Sequence, residues 1–172
     1  MSELLEILKY VLPSIVVFAA AYYLIKLFLD NEQKKRASDI KMAGYKLITP
    51  IRLQAYERLI LFLERISPES LVMRLHKPEL PSLQFQTILI LAIREEFEHN
   101  LSQQVYISSQ SWELVRNAKE DMIKLINTAA TKLNDNATST ELSQKIFELS
   151  LSEKLVIKTA LEFLKNEIRQ VF

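Results

Sequence analysis

Residues 10–25 read YVLPSIVVFAAAYYLI, a stretch without one charged side chain. The apolar run extends from Ile7 to Leu29, interrupted only by Lys9 and Lys26. A helix needs roughly 20 apolar residues to cross ~30 Å of hydrocarbon, and this run supplies them. Lys9 and Lys26 stand near its ends, where flexible stems carry the ammonium groups out to the headgroups. Tyr10 at one end and Tyr22 and Tyr23 near the other suit the interfacial belts in which aromatic rings collect. Pro13 falls in the first turns, where a missing N–H costs little. The pattern predicts a short N-terminus over 1–9 and a single transmembrane helix over 10–29. A signal peptide would want a basic start, whereas residues 1–9 hold Glu3, Glu6 and only Lys9. A core helix would show a polar face, and this segment shows none.

The flanks orient the helix. Lys9 is alone on the N-terminal side, while Lys26, Lys34, Lys35, Arg36, Lys41 and Lys46 follow on the other. Basic residues stay on the cytoplasmic side, so the expectation is an external N-terminus and a cytoplasmic C-terminal domain. Lys26, Lys34, Lys35 and Arg36 form a membrane-interface set with the three tyrosines. Each basic charge held against anionic headgroups contributes about 1 kcal/mol. The plainer reading of Lys34-Lys35-Arg36 is a topology signal alone.

Composition bounds the chain beyond the anchor. With 22 Lys+Arg against 21 Asp+Glu, the net charge of +1 lacks the basic excess of a nucleic-acid binder. There is no cysteine, which excludes disulfides, thiolate metal sites and a Cys nucleophile together. Gly44 is the single glycine. Hairpins, bulges and phosphate-cradling loops depend on glycine, so helix is the default and nucleotide binding is disfavoured.

The periodicity agrees. Residues 30–49 read as a polar juxtamembrane stalk, with Gly44 a candidate hinge, and 50–172 as a helical domain. Over 50–66, Leu53, Tyr56, Leu59, Ile60, Leu63 and Ile66 make one apolar stripe, and Leu61 lies off it. Ser67 and Pro68 open a short helix over 68–76, and HKPELP (76–81) breaks the chain. ILILAI (88–93) marks a central helix over 82–105, continued through Phe97, Leu101 and Val105. The next helix, 110–133, carries Val115, Ala118, Met122, Leu125 and Ala129 inward, with Arg116/Glu120 and Glu120/Lys124 pairs outside. Thr138-x-x-Glu141 and Ser150-x-x-Glu153 read as capping boxes opening helices over 139–149 and 151–170. The fold expected is all-α: one transmembrane helix, then a bundle of five or six antiparallel helices.

Chemistry is sparse. In REEFEHN (94–100), Glu96-x-x-His99 has the spacing of carboxylate-bridged di-iron bundles. Such sites need a second pair, and His76 is the only other histidine, so one chain cannot complete the set. Metal candidates are therefore Glu95, Glu96 and His99, against a plain acidic face in which Glu95 or Glu96 pairs with His99. Ser102, Ser108, Ser109 and Ser111 cluster between helices, where caps and turns explain them. The sole tryptophan, Trp112, closes a core or forms a binding platform. Charge is uneven: 30–66 holds eight basic and five acidic residues, and 79–121 three basic and seven acidic. An acidic surface would suit a basic partner.

AYERLILFLERISPESL (55–71) and EEFEHNLSQQVYIS (95–108), with Trp112 and Ala118-Lys119 beyond and a membrane span before them, resemble a family of uncharacterised bacterial membrane-anchored helical proteins, a domain of unknown function. The resemblance implies a bacterial inner membrane and no particular activity. The expected role is a membrane-anchored interaction module: scaffold, adaptor or accessory subunit. No catalytic residue, cofactor, small-molecule substrate or nucleic-acid partner is inferred. The expected partners are the bilayer and another protein or a second copy. Leu61, Glu95, Glu96 and Glu98 are the candidate contacts. A homo-oligomeric structural protein and a carboxylate/His metalloenzyme are the alternatives.

Overall fold

With one glycine in the chain and apolar residues recurring at every third or fourth position, the backbone has little alternative to helix. A computed structural model describes residues 2–152 and 156–171, with side chains placed over 9–152 and 156–170. Among the described residues there are six α-helices and no strand: α1 Ser2–Ile66, α2 Pro68–Leu75, α3 Ser82–His99, α4 Ser109–Thr131, α5 Ser139–Ser152 and α6 Val156–Val171. A 3-10 turn occupies Leu101–Val105. The chain divides into two compact units, Met1–Thr49 and Pro50–Phe172.

The first unit is helical throughout, and its described side chains over 9–49 bury nothing. Near its N-terminus α1 is long and apolar enough to cross a membrane. Gly44 lies within the helix, and a methyl group added there would meet open space. No close approach demands a glycine at that point.

The second unit is a helical bundle around one core. Tyr56, Leu59, Phe62, Leu63 and Ile66 of α1 meet Phe85, Leu89 and Ile93 of α3, Met122 and Ile126 of α4, and Leu142 and Ile146 of α5. Leu53, expected on the buried stripe, is exposed, and Phe62, not placed on it, is buried. The centre is α4 rather than α3: it packs on α3, α5 and α6 and buries seven residues to α3's four. Within ILILAI only Leu89 and Ile93 are buried, and Leu91 faces outward. A run of consecutive apolar residues thus reported amphipathic packing with an apolar outer face.

Three local expectations are corrected. The helix predicted to reach 105 stops at His99. Asn100 is buried, and its Nδ2 donates to the Glu96 carbonyl at 2.8 Å, taking the place of the backbone bond that would continue the helix. Leu101 and Val105 then lie on the 3-10 turn and are exposed. On α4, Arg116 pairs with Glu113 (2.8 Å) and Lys119 with Glu120 (2.7 Å), not Arg116 with Glu120 or Glu120 with Lys124. Ser67 precedes α2 but makes no capping bond; its hydroxyl donates to the Glu64 carbonyl at 2.8 Å.

The first capping box forms as expected. Thr138 N–H donates to Glu141 Oε2 at 2.7 Å, and Glu141 N–H to Thr138 Oγ1 at 3.3 Å. The second rests on Glu153, which lies outside the described residues. At this end, Ser82 N–H bonds the Ala137 carbonyl and Ser139 N–H the Leu80 carbonyl, each at 2.9 Å. These bonds form an isolated bridge between Pro81 and Thr138 that fastens the α2–α3 loop to the α4–α5 loop.

Candidate functional site

The candidate residue Leu61 is far in sequence from Glu96 and His99, yet all three line one groove. Its other walls are Arg58, Phe62, Arg65 and Asn100, and its volume is about 390 Å³. The construction is simple. On α1, Arg58, Leu61 and Arg65 follow at helical spacing and share one face, while Phe62 turns inward and is 1% exposed. On α3, Glu96, His99 and Asn100 occupy the last turn, which the Asn100 side chain closes off. An aromatic layer supports the floor: Phe97 packs on Phe62 (5.9 Å between centroids) and stacks on Trp112 (5.3 Å). Lys119 Nζ lies 4.5 Å from the Phe97 centroid. Trp112 is therefore a core-closing residue beneath the site.

Electrostatics in the groove centre on one carboxylate oxygen. Arg65 Nε and Nη2 lie 2.8 and 2.5 Å from Glu96 Oε1, and Arg74 Nη1 lies 3.6 Å from the same oxygen. The Glu96 side chain is 20% exposed, so these contacts are only partly screened. Glu96 pairs with arginines, not with His99. Arg58 stands exposed at the rim with no ion-pair partner among the described residues. Leu61 beside it is 57% exposed. Two guanidinium groups thus share one carboxylate oxygen, and with Arg58 beside them the groove wall carries more positive than negative charge.

Glu95, Glu98 and His99 are exposed on α3. Among the described residues no group of three His, Asp or Glu side chains is placed to hold a metal. The interface candidates Tyr10, Tyr22, Tyr23, Lys26, Lys34, Lys35 and Arg36 are all exposed on α1, and Arg36 pairs with Glu32 one turn back at 3.2 Å.

Two polar clusters are not legible in the sequence. The buried Ser111 hydroxyl donates to Glu167 Oε2, and Arg52 Nε donates to the Tyr106 carbonyl at 3.1 Å. The Tyr56 hydroxyl is fully buried and has no hydrogen-bond partner among the described residues. Burial first, then the Glu167 carboxylate, hold it above the ordinary phenol value of 10.0, with Arg52 pulling back. Elsewhere, Ser143 Oγ lies 3.3 Å from His76 Nδ1. That hydroxyl donates to the Ser139 carbonyl at 2.7 Å, so its proton is already engaged in the helix. Helical spacing alone sets Leu61 among Arg58, Glu64 and Arg65, and the structure keeps Arg58 and Arg65 beside it in the groove. Nothing local marks Glu167 as the partner of Ser111.

Residues 2–171 match the family of unknown function DUF7935, and the chain belongs to that family. No curated protein and no solved structure matches it.

Proposed function

We propose that this chain is a single-pass inner-membrane protein, N-terminus outside, whose cytoplasmic bundle docks another protein as a scaffold, adaptor or accessory subunit. The observation that carries the docking role is the groove, where exposed Leu61 and exposed Arg58 sit on a wall made firm by the Phe62–Phe97–Trp112 layer. An apolar anchor beside a charged one is the usual composition of a contact that carries binding energy. Membrane attachment is supported by the apolar span of α1. The orientation rests on Lys26, Lys34, Lys35, Arg36, Lys41 and Lys46 following that span against Lys9 before it.

The test uses the absence of native cysteine. Ser2→Cys should react with a membrane-impermeant maleimide in intact cells with permeabilised outer membranes, and Ser38→Cys only after lysis. The reverse pattern refutes the orientation. Crosslinking in native membranes, followed by purification of the C-terminally tagged chain, should yield a stoichiometric partner that Leu61→Asp removes. Recovery that ignores position 61 refutes the groove as the docking surface.

A second reading, self-association through the juxtamembrane helix, is favoured by exposed Ile40, Leu47 and Ile51 at helical spacing on α1. A monomer by light scattering in mild detergent refutes it.

A further inference from the structure

The docking reading leaves the partner's chemistry open, and the acidic residues of α3 would suggest a basic one. The contacts in the groove give the opposite sign. Glu96 is the one carboxylate lining the cavity, and it is held by Arg65 and Arg74 on a single oxygen. Its charge is therefore spent inside the protein. Arg58, on the same face of α1 and one turn before Leu61, has no carboxylate among the described residues to meet. Glu64, on the neighbouring turn, is drawn toward Lys165 at 3.7 Å. What the groove offers to an incoming group is an apolar surface at Leu61 flanked by the guanidinium of Arg58, over an aromatic floor and beside a wall in which two arginines outnumber the one carboxylate.

Building on the docking role, we infer that the occupant is an acidic amphipathic helix of the partner protein. One of its apolar side chains rests on Leu61, and a carboxylate one turn away takes the fork of Arg58. Arg58 and Leu61 are three residues apart on α1, a separation of about one helical turn. A Leu and a Glu at the same spacing on a facing helix match them, which is the helix-in-groove mode of recognition. Arginine is suited to the task because its planar fork donates two parallel hydrogen bonds to a carboxylate. Glu96 then acts as an internal competitor: it satisfies Arg65 and Arg74 while the groove is empty.

The experiment uses full-length protein in zwitterionic nanodiscs and two fluorescein-labelled synthetic peptides. Both carry Leu at helical spacing; one has Glu between the leucines and the other Lys. Anisotropy should show saturable binding of the acidic peptide and none of the basic one. Arg58→Glu should weaken the acidic peptide about tenfold, from the loss of one ion pair and the gain of one repulsion. Glu96→Gln, which frees two guanidinium groups, should tighten it several-fold; an acidic docking face would lose affinity instead. Unshifted Trp112 fluorescence melting curves will certify that both variants fold. Binding of the basic peptide through Leu61 overturns the acidic occupant and leaves the docking role standing. No saturable binding of the acidic peptide, or binding indifferent to Arg58→Glu, overturns the inference. So does Arg58-dependent binding to anionic vesicles alone. Recovery of a Leu61-dependent partner from membranes judges the docking role independently of these outcomes.

Discussion

Leu61 and Phe62 are neighbours in sequence and opposites in the structure, and that contrast permits a sharp test. Phe62 is 1% exposed, packs its ring 5.9 Å from Phe97 and forms part of the groove floor, whereas Leu61 points to solvent. Truncating a buried Phe to Ala removes about 3–5 kcal/mol, through lost burial and the cavity left behind. The aromatic pair with Phe97 places this site toward the upper end. Truncating an exposed side chain with no special role changes stability by less than about 0.5 kcal/mol. For a domain of this size each kcal/mol moves the melting temperature by roughly 4 °C. Phe62→Ala should therefore lower Tm by roughly 10–20 °C and Leu61→Ala by no more than about 2 °C. Trp112, the only tryptophan, stacks on Phe97 and reports on this unit without interference from the membrane segment. The assay is fluorescence-detected melting of the full-length protein in detergent. Equal shifts for the two variants, or a larger one for Leu61→Ala, would refute the assigned inner and outer faces of α1.

Four further outcomes rest on individual contacts. Tyr56→Phe deletes a buried hydroxyl that has no partner, so Tm should stay level or rise, by up to about 1 kcal/mol of stability; a clear fall means the hydroxyl is bonded after all. Thr138→Ala removes the acceptor for Glu141 N–H, and chemical denaturation should show a loss of about 1 kcal/mol. The bond from Thr138 N–H, and then the Thr138 hydroxyl, hold the Glu141 carboxyl below its ordinary 4.5. A depressed carboxyl contributes stability that is complete above 4.5 and fades as pH falls through the lower folded value. Glu141→Gln should flatten that acid limb, and an unchanged pH profile would count against the capping box. Lastly, a double-mutant cycle of Arg65→Ala and Glu96→Ala should give a coupling of about 1 kcal/mol, because the partly exposed pair is screened by solvent. A coupling of zero would dissolve the ion pair on which the groove's charge rests.

Much of the architecture is written at short range. The scarcity of glycine and the three-to-four spacing of apolar residues predict helices, and the uncharged run 10–25 marks the segment able to cross a membrane. Thr138 and Glu141 are three residues apart, so their capping box is visible in the sequence as it stands in the structure. The stop after His99 is local in cause, set by the Asn100 side chain competing with the backbone, although the apolar spacing through Leu101 and Val105 predicts a helix running past it. Each of these features is governed by contacts within a turn or two of helix.

Longer-range outcomes needed the packed molecule. That α4 rather than α3 is central depends on how much of each helix its neighbours bury, which a run such as ILILAI does not report. Glu96 reads locally as one member of an acidic face, yet Arg65 and Arg74 reach it across the chain, the first from 31 residues away. The same convergence brought the Arg58–Leu61 face of α1 against Glu96 and His99 of α3 over an aromatic floor and set Ser111 against Glu167. Periodicity states which side of a helix is apolar, because backbone geometry repeats locally. Which charges meet across the gap depends on how whole helices cross, and that is settled only when the core closes.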